Sequence, residues 1–212
     1  TVIVVLTMLF SAISFGCCIM YAVRFYKNLF TDEGYITWTL PASPLTQLWA
    51  KILSASIWYV LDLTICFAAA WFLISGDNIQ SALERIKPDF QAALGMSFSS
   101  FCGLVVFFSF VGILSCVLFI YTSIAIGQLV PAHRIIVSIA VYFILNLITQ
   151  IISIGVSIIT SVFPDYVFSP AQTSFSEYFF QMLLIGTCTT TVLAIAGYFI
   201  TYRILQRKVN LI

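Results

Sequence analysis

Charged residues are scarce in this chain of 212 residues, where they make up 8% of the sequence, against about 25% in an ordinary soluble domain. Hydrophobic residues make up 61%. The 9 basic and 8 acidic residues nearly cancel, and they form no clustered basic face of the kind that binds phosphate backbones. The composition therefore argues against a soluble fold and against nucleic acid as a partner, and it predicts a protein whose solvent is the lipid bilayer.

The sequence also lacks the patterns that build metal, redox or nucleotide sites. Its six cysteines fall inside apolar runs, with a single adjacent pair, so neither a disulfide framework nor a metal-ligand spacing is present. One histidine, His133, cannot assemble a metal site or a catalytic triad by itself. No Gly-Lys dipeptide occurs, which excludes a Walker A phosphate-binding loop. We therefore predict no metal, no catalytic residue and no cofactor bound by this chain.

Five apolar runs reach the length of ~20 residues that a membrane-spanning helix needs. They cover roughly residues 1–23, 49–75, 96–130, 135–163 and 178–202. The third run also fits two short spans, because no charge interrupts 91–132. We predict one long helix there, since two spans would leave almost no turn and no proline or paired glycine marks a hairpin. The predicted fold is all-α, a single polytopic membrane helix bundle over residues 1–212.

Basic residues near the ends of the runs predict the orientation, because Lys and Arg accumulate on the cytoplasmic side of a membrane. Seven of the nine fall on one side: Arg24, Lys27, Lys51, Arg134, Arg203, Arg207 and Lys208. This distribution predicts a cytoplasmic C-terminus. Five spans then put the first residue outside, so we predict that the complete protein has six spans with both termini in the cytoplasm.

The connection between the first two runs, residues 24–48, is the longest mixed polar and aromatic stretch on the predicted inner side. Phe25, Leu29 and Phe30 are predicted to face lipid, as in a short amphipathic segment that lies in the interface. A solvated acidic turn at Asp32 beside ordinary anchoring aromatics explains the composition equally well.

A long helix is predicted to follow this connection. Ser43 can cap a helix that begins at Pro44. If that helix continues to Ser75, it measures roughly 48 Å, against about 30 Å for the apolar core of a bilayer. About one-third of it should then project into the cytoplasm or tilt. With Asp32 and Glu33 at its base it is predicted to be a stiff lever for a soluble partner to push, and the solvated acidic turn with anchoring aromatics is the equal alternative.

Three segments carry a resemblance to a known family. The run from Arg24 to Pro41, RFYKNLFTDEGYITWTLP, with Lys51 ten residues further on, resembles the first cytoplasmic connection of small bacterial ABC-2 type transporter permeases. The residues SIAIGQL at 123–129, with the following His-Arg pair, resemble the inner end of the family's fourth span, and YRILQRKVNL at 202–211 resembles its closing segment. The resemblance covers the whole chain but lacks the family's opening interfacial helix and first span.

The resemblance implies a permease in the bacterial cell membrane that pairs with a second permease half, identical or different, and with two ATP-binding subunits. ATP and Mg²⁺ would then be bound by those partner subunits. In this family the connection between spans two and three forms a coupling helix that rests on the ATPase. Carried over to this sequence, the docking residues are Asp32, Glu33, Gly34 and Tyr35.

Asp62 is the only acid well inside a predicted span, eleven residues or about 16 Å beyond Lys51. One interpretation is a proton-linked or substrate-contacting site, as an ion- or proton-coupled carrier or channel would need. The other is a protonated or hydrogen-bonded acid that locks helix packing, with Tyr59 or Thr64 nearby in the sequence. We favour packing, because no second charge at membrane depth is available to pair with it. The same shortage argues against an intramembrane enzyme, which should display at least two such groups.

Two further patterns have two interpretations each. Polar residues at helical spacing in the fourth run either line a translocation path or form hydrogen bonds between helices. These residues are Asn146, Thr149, Gln150 and Ser153. Small residues recur every four positions in two spans, and they indicate close helix packing in the monomer in preference to a dimer interface. These are Gly186, Thr190 and Ala194 in the last run and Ala12 and Gly16 in the first.

Overall fold

A computed structural model of the chain is all-helical in the part that it describes, which comprises residues 2–31, 34, 39, 43–74, 81, 84–85, 87–88, 91–92, 94–162 and 175–207. Its helices are α1 Val2–Phe30, α2 Pro44–Ile74, α3 Phe98–Gly127, α4 Arg134–Ile159 and α5 Phe175–Arg207. Each of these five is long and apolar enough to cross a membrane, and the described residues contain no strand. The predicted fold class, an all-α multi-pass membrane protein with five spans, is confirmed.

The ambiguous third run is one helix. α3 contains 30 residues without a break, or about 45 Å, and has the highest mean hydropathy of the five spans, 2.7. It ends at Gly127 in a turn in which the Val130 N–H donates to the Gly127 carbonyl at 3.2 Å, just before Pro131. The prediction of one long helix in preference to two short spans is confirmed.

α2 begins where the sequence predicts. The Thr46 N–H donates to the Ser43 Oγ at 3.2 Å, which satisfies one of the amide groups that the first turn of a helix leaves unpaired. Pro44 occupies the first helical position, where its missing N–H costs nothing. The helix runs for 31 residues, or about 46 Å, and so exceeds the ~30 Å apolar core of a bilayer.

The predicted lipid-facing segment at the start of the connection is wrong. α1 continues without a break to Phe30, and Phe25 and Leu29 are buried, with 1% and 0% of their surfaces exposed. The physical reason is spacing, because Tyr21, Phe25 and Leu29 recur every four residues and continue one face of α1 into the core. Phe30, which is partly buried, packs against the same core.

Much of the helix surface is apolar and exposed. Phe72 exposes 85% of its surface, and Ile159 and Trp71 are also mostly exposed. Soluble proteins rarely expose apolar surface on this scale, whereas hydrocarbon is a suitable neighbour for it. These side chains are therefore lipid-facing positions of a membrane protein.

The chain divides into two compact units. The first comprises residues 1–66, 113–145 and 194–212, and the second comprises 67–112 and 146–193. The main cluster of buried apolar residues belongs to the first unit and is called here the Tyr121 cluster; it consists of Tyr21, Phe25, Leu29, Leu48, Ile52, Ala55, Val117, Ile120, Tyr121, Ile124 and Leu205. In the second unit, α3 meets α5 through the aromatic pairs Phe101 with Phe179 and Phe108 with Phe180.

A close approach of α3 and α5 in the first unit involves Gly197. A methyl group at Gly197 would lie 2.6 Å from the Thr122 Oγ1, and the Thr201 hydroxyl donates to the same oxygen at 3.1 Å. This contact lies just beyond the predicted small-residue set of α5, whose last member, Ala194, is buried. Among the described residues no atom lies within 4 Å of a methyl group built at Gly16, so the predicted close packing at that position of α1 is absent there.

Candidate functional site

The predicted ATPase-docking residues fall in the connection between α1 and α2. Asp32, Glu33 and Tyr35 lie outside the described residues, whereas Gly34 is described and buried. The Gly34 N–H donates to the Thr31 carbonyl at 2.7 Å. A Cβ at Gly34 would lie 2.9 Å from the carbonyl carbon and oxygen of Leu29, and a backbone contact of this kind has no flexible side chain that could yield. Only glycine fits this position without displacing the backbone.

Leu29 joins this backbone contact to the Tyr121 cluster, because its side chain is fully buried there. One turn earlier, the Phe25 ring stacks on the Tyr121 ring of α3, with a centroid distance of 3.7 Å and an interplanar angle of 10°. The end of α1 is therefore held against α3 by an aromatic contact that is almost closed to solvent.

The start of α2 reaches the same cluster from the other side of the connection. Leu48 and Ile52 are buried in it, and the Tyr121 hydroxyl donates to the Lys51 carbonyl at 3.0 Å. Tyr121 thus contacts both α1 and α2. The two helix ends that flank the connection therefore pack with α3 in one cluster.

Asp62 takes part in a hydrogen bond between helices. The Ser14 hydroxyl of α1 donates to the Asp62 Oδ2 at 3.2 Å, and the side chain of Asp62 is partly buried. The partners suggested by sequence proximity are engaged elsewhere, since Tyr59 contacts the Cys18 sulfur at 2.9 Å and the Thr64 hydroxyl donates to the Val60 carbonyl. These two bonds between α1 and α2, Ser14 to Asp62 and Cys18 to Tyr59, lie one helical turn apart.

The polar stripe of α4 divides between two environments in the second unit. Ser153 and Thr189 of α5 share a hydrogen bond of 2.6 Å, and Thr149 is buried. Asn146 is partly buried, whereas Gln150 is exposed. At Ser153 the stripe therefore makes the interhelical hydrogen bond that was one of its two predicted roles. Asn146 and Gln150 belong to a different compact unit from Asp62.

Sequence reasoning missed the two residues that organise this region, Phe25 and Tyr121. Phe25 was assigned to lipid, and Tyr121 lies in an apolar run where no local feature distinguishes it. The four-residue recurrence of Tyr21, Phe25 and Leu29 was the signal that could have placed Phe25 inside the core. No equivalent signal exists for Tyr121, because its role depends on which helices become neighbours.

No group of three or more His, Cys, Asp or Glu side chains that could hold a metal ion occurs within the described ranges. The six cysteines are free thiols.

No family model, curated protein or solved structure matches the chain. The resemblance to ABC-2 type permeases therefore stays a prediction from the residues quoted above.

Proposed function

We propose that this chain is the transmembrane subunit of an ABC-2 type ATP-binding cassette transporter, an exporter in the bacterial cell membrane with a cytoplasmic C-terminus. ATP and Mg²⁺ are bound by a partner subunit, and a second permease half completes the pathway. The resemblance of residues 24–41 to the family's first cytoplasmic connection motivates the proposal.

The observation that carries it is the attachment of both ends of this connection to the Tyr121 cluster. The connection leaves α1 at Phe30 and enters α2 at Pro44, and buried residues on either side pack in one cluster. A docking element must be stiffly joined to the helices it moves, because a flexible joint would dissipate the displacement. The contacts of Phe25, Tyr121 and Lys51 supply that stiffness.

The proposed sequence of contacts begins with the ATPase pressing on Asp32 and Glu33. Displacement of the connection is passed to the backbone of Leu29 through Gly34, and from Phe25 to Tyr121. α2 receives it through Lys51 and carries it across the membrane, since its 31 residues form one unbroken helix. The chain itself performs no covalent chemistry in this scheme.

Copurification tests the proposal. The tagged chain is isolated from its native membranes in mild detergent, and we expect an ATP-binding subunit with a Walker A motif to elute with it. The double variant Asp32→Ala/Glu33→Ala should lose that subunit and the associated ATPase activity by at least about tenfold. The matched control Glu84→Ala/Asp89→Ala removes two acids from the predicted opposite side and should retain both. Isolation of the intact chain without any nucleotide-binding subunit would refute the proposal.

A second candidate function is a proton- or ion-coupled carrier, and the position of Asp62, partly buried within the span formed by α2, favours it. A carboxylate at this depth is costly and often marks an ion path. Asp62→Asn separates the two functions, because Asn can still accept the Ser14 hydrogen bond but cannot exchange a proton. The transporter proposal predicts unchanged ATP-dependent transport in this variant, whereas a proton-coupled carrier would lose its pH-driven uptake.

A further inference from the structure

A cavity of about 240 Å³ lies between α1, α2 and α3, next to the Tyr121 cluster. Two cationic residues, Arg24 of α1 and Lys51 of α2, line it together with Ser54. Tyr21, Trp58 and Tyr121 supply aromatic walls. Its volume is below the ~300–1,000 Å³ typical of sites for drug-sized ligands, so it suits a small group.

The two cations have no anionic partner in the part of the chain that the structure describes. Among the described residues neither Arg24 nor Lys51 makes an ion pair, and none of those that line the cavity is acidic. Their like charges repel each other across a partly desolvated space. An anion bound between them would relieve that repulsion and would accept hydrogen bonds from both side chains.

The depth of the cavity suits the headgroup region of a bilayer. Arg24 lies six residues before the end of α1 and Lys51 seven residues after the start of α2, or about 9 and 10 Å from those helix ends. Trp58 exposes 50% of its surface, and Trp and Tyr concentrate at the membrane interface. The cavity is thus open to a lipid molecule beside the bundle.

The packing holds Lys51 in place. The Tyr121 hydroxyl donates to its backbone carbonyl, and the neighbouring Ile52 is buried. Arg24 precedes the buried Phe25, whose ring stacks on Tyr121. The two cations are therefore presented by backbone that is fixed at both sides of the cavity, and little ordering is needed when a ligand binds.

We propose that this cavity binds the phosphate group of an anionic phospholipid between Arg24 and Lys51. The planar Arg24 guanidinium holds two phosphate oxygens, Lys51 supplies a second positive charge, and the Ser54 hydroxyl is a further donor. The proposal goes beyond the transport function and does not rest on it, because it depends only on charges, volume and position. Bound lipid would stiffen the junction of α1 and α2 at the Tyr121 cluster.

The test uses the full chain, purified and delipidated in mild detergent with any subunit that accompanies it. Thermal unfolding and native mass spectrometry are measured with added phosphatidylglycerol, phosphatidylcholine or inorganic phosphate. We expect phosphatidylglycerol to bind and stabilise more strongly than phosphatidylcholine. Arg24→Gln/Lys51→Gln should weaken its binding by at least ~10-fold, because these two side chains supply the charge-assisted hydrogen bonds to the phosphate inside the cavity.

The control Lys27→Gln/Arg203→Gln removes the same net charge from exposed residues that do not line the cavity, and it should change binding by less than ~3-fold. Arg24→Lys/Lys51→Arg retains both charges and should keep most of the preference, which separates ligand binding from folding defects. Competition by millimolar inorganic phosphate would show that the site recognises the phosphate group, whereas stabilisation by inorganic phosphate with no added effect of phosphatidylglycerol would overturn the assignment to a phospholipid. Equal weakening in the two charge-removing variants, or no preference for phosphatidylglycerol, would overturn the proposal.

Discussion

At the scale of single residues, Tyr121 combines two contacts that hold α1 and α2 against α3. Its ring stacks on Phe25 and its hydroxyl donates to the Lys51 carbonyl. The ring contact excludes solvent over a large area, whereas the hydroxyl adds one hydrogen bond to a carbonyl at the start of α2. The ring should therefore contribute more to stability than the hydroxyl.

Substitutions at Tyr121 test this division. Tyr121→Ala should lower the free energy of unfolding by ~3–5 kcal/mol, as removal of a buried aromatic ring does. Tyr121→Phe should cost ~0.5–1.5 kcal/mol, the net contribution of one hydrogen bond. Denaturant or thermal unfolding in detergent measures both, with the exposed Phe72→Ala as a control that should change little. Equal effects of the alanine substitutions at residues 121 and 72 would contradict the assigned packing.

Some residues of this region could be predicted from sequence and others could not. Ser43 was assigned correctly as a helix cap because capping depends on atoms three residues apart. The hydrogen-bond partner of Asp62 could not be identified in this way, because Ser14 is 48 residues away and belongs to another helix. Local rules specify local contacts, whereas partners between helices depend on packing that a single sequence does not display.

At the scale of elements, the continuation of α1 to Phe30 changes the nature of the connection. A segment lying in the interface would be loosely attached, but the last turns of α1 belong to the buried cluster. The close contact of Gly34 with the backbone of Leu29 continues this attachment into the segment that resembles the family's coupling helix. The element that is proposed to meet the ATPase is therefore joined directly to a spanning helix.

Two glycine substitutions test that attachment. Gly34→Ala places a methyl group against the Leu29 backbone and should lower stability by ~1–3 kcal/mol, the usual cost of overpacking. In the purified complex it should also reduce ATPase activity coupled to transport. Gly16→Ala has open space around it and should be neutral or stabilising by up to ~1 kcal/mol, because alanine favours a helix over glycine. If both variants unfold at the same temperature and transport equally, the Gly34 contact has no such role.

The lengths of α2 and α3 could be predicted from the sequence because hydrophobicity and helix stops determine them. The end of α1 could not be predicted in the same way. Its last turns contain Arg24, Lys27 and Asn28 among apolar residues, a composition that suits an interfacial segment and the end of a buried helix equally well. Only the recurrence of buried positions every four residues distinguishes the two.

At the scale of the whole molecule, five spans follow from composition and run length, and the structure confirms them. The site proposed for coupling consists of residues from α1, α2 and α3. Their contacts could not be inferred from hydropathy, because lipid is as apolar as the helix faces and hydrophobicity alone does not select which helices pack together. The side of the membrane on which each connection lies stays a prediction from the distribution of Lys and Arg.

The most direct test of this account is the accessibility of single cysteines introduced at residues 32, 84, 161 and 207 of a variant that lacks the six native cysteines. Labelling with a membrane-impermeant maleimide is compared in inside-out and right-side-out vesicles. The account predicts that positions 32 and 207 react only in inside-out vesicles, and that 84 and 161 react only in right-side-out vesicles. Labelling of positions 32 and 84 from the same side would contradict a membrane-spanning α2, and with it the proposed transmission of force across the bilayer.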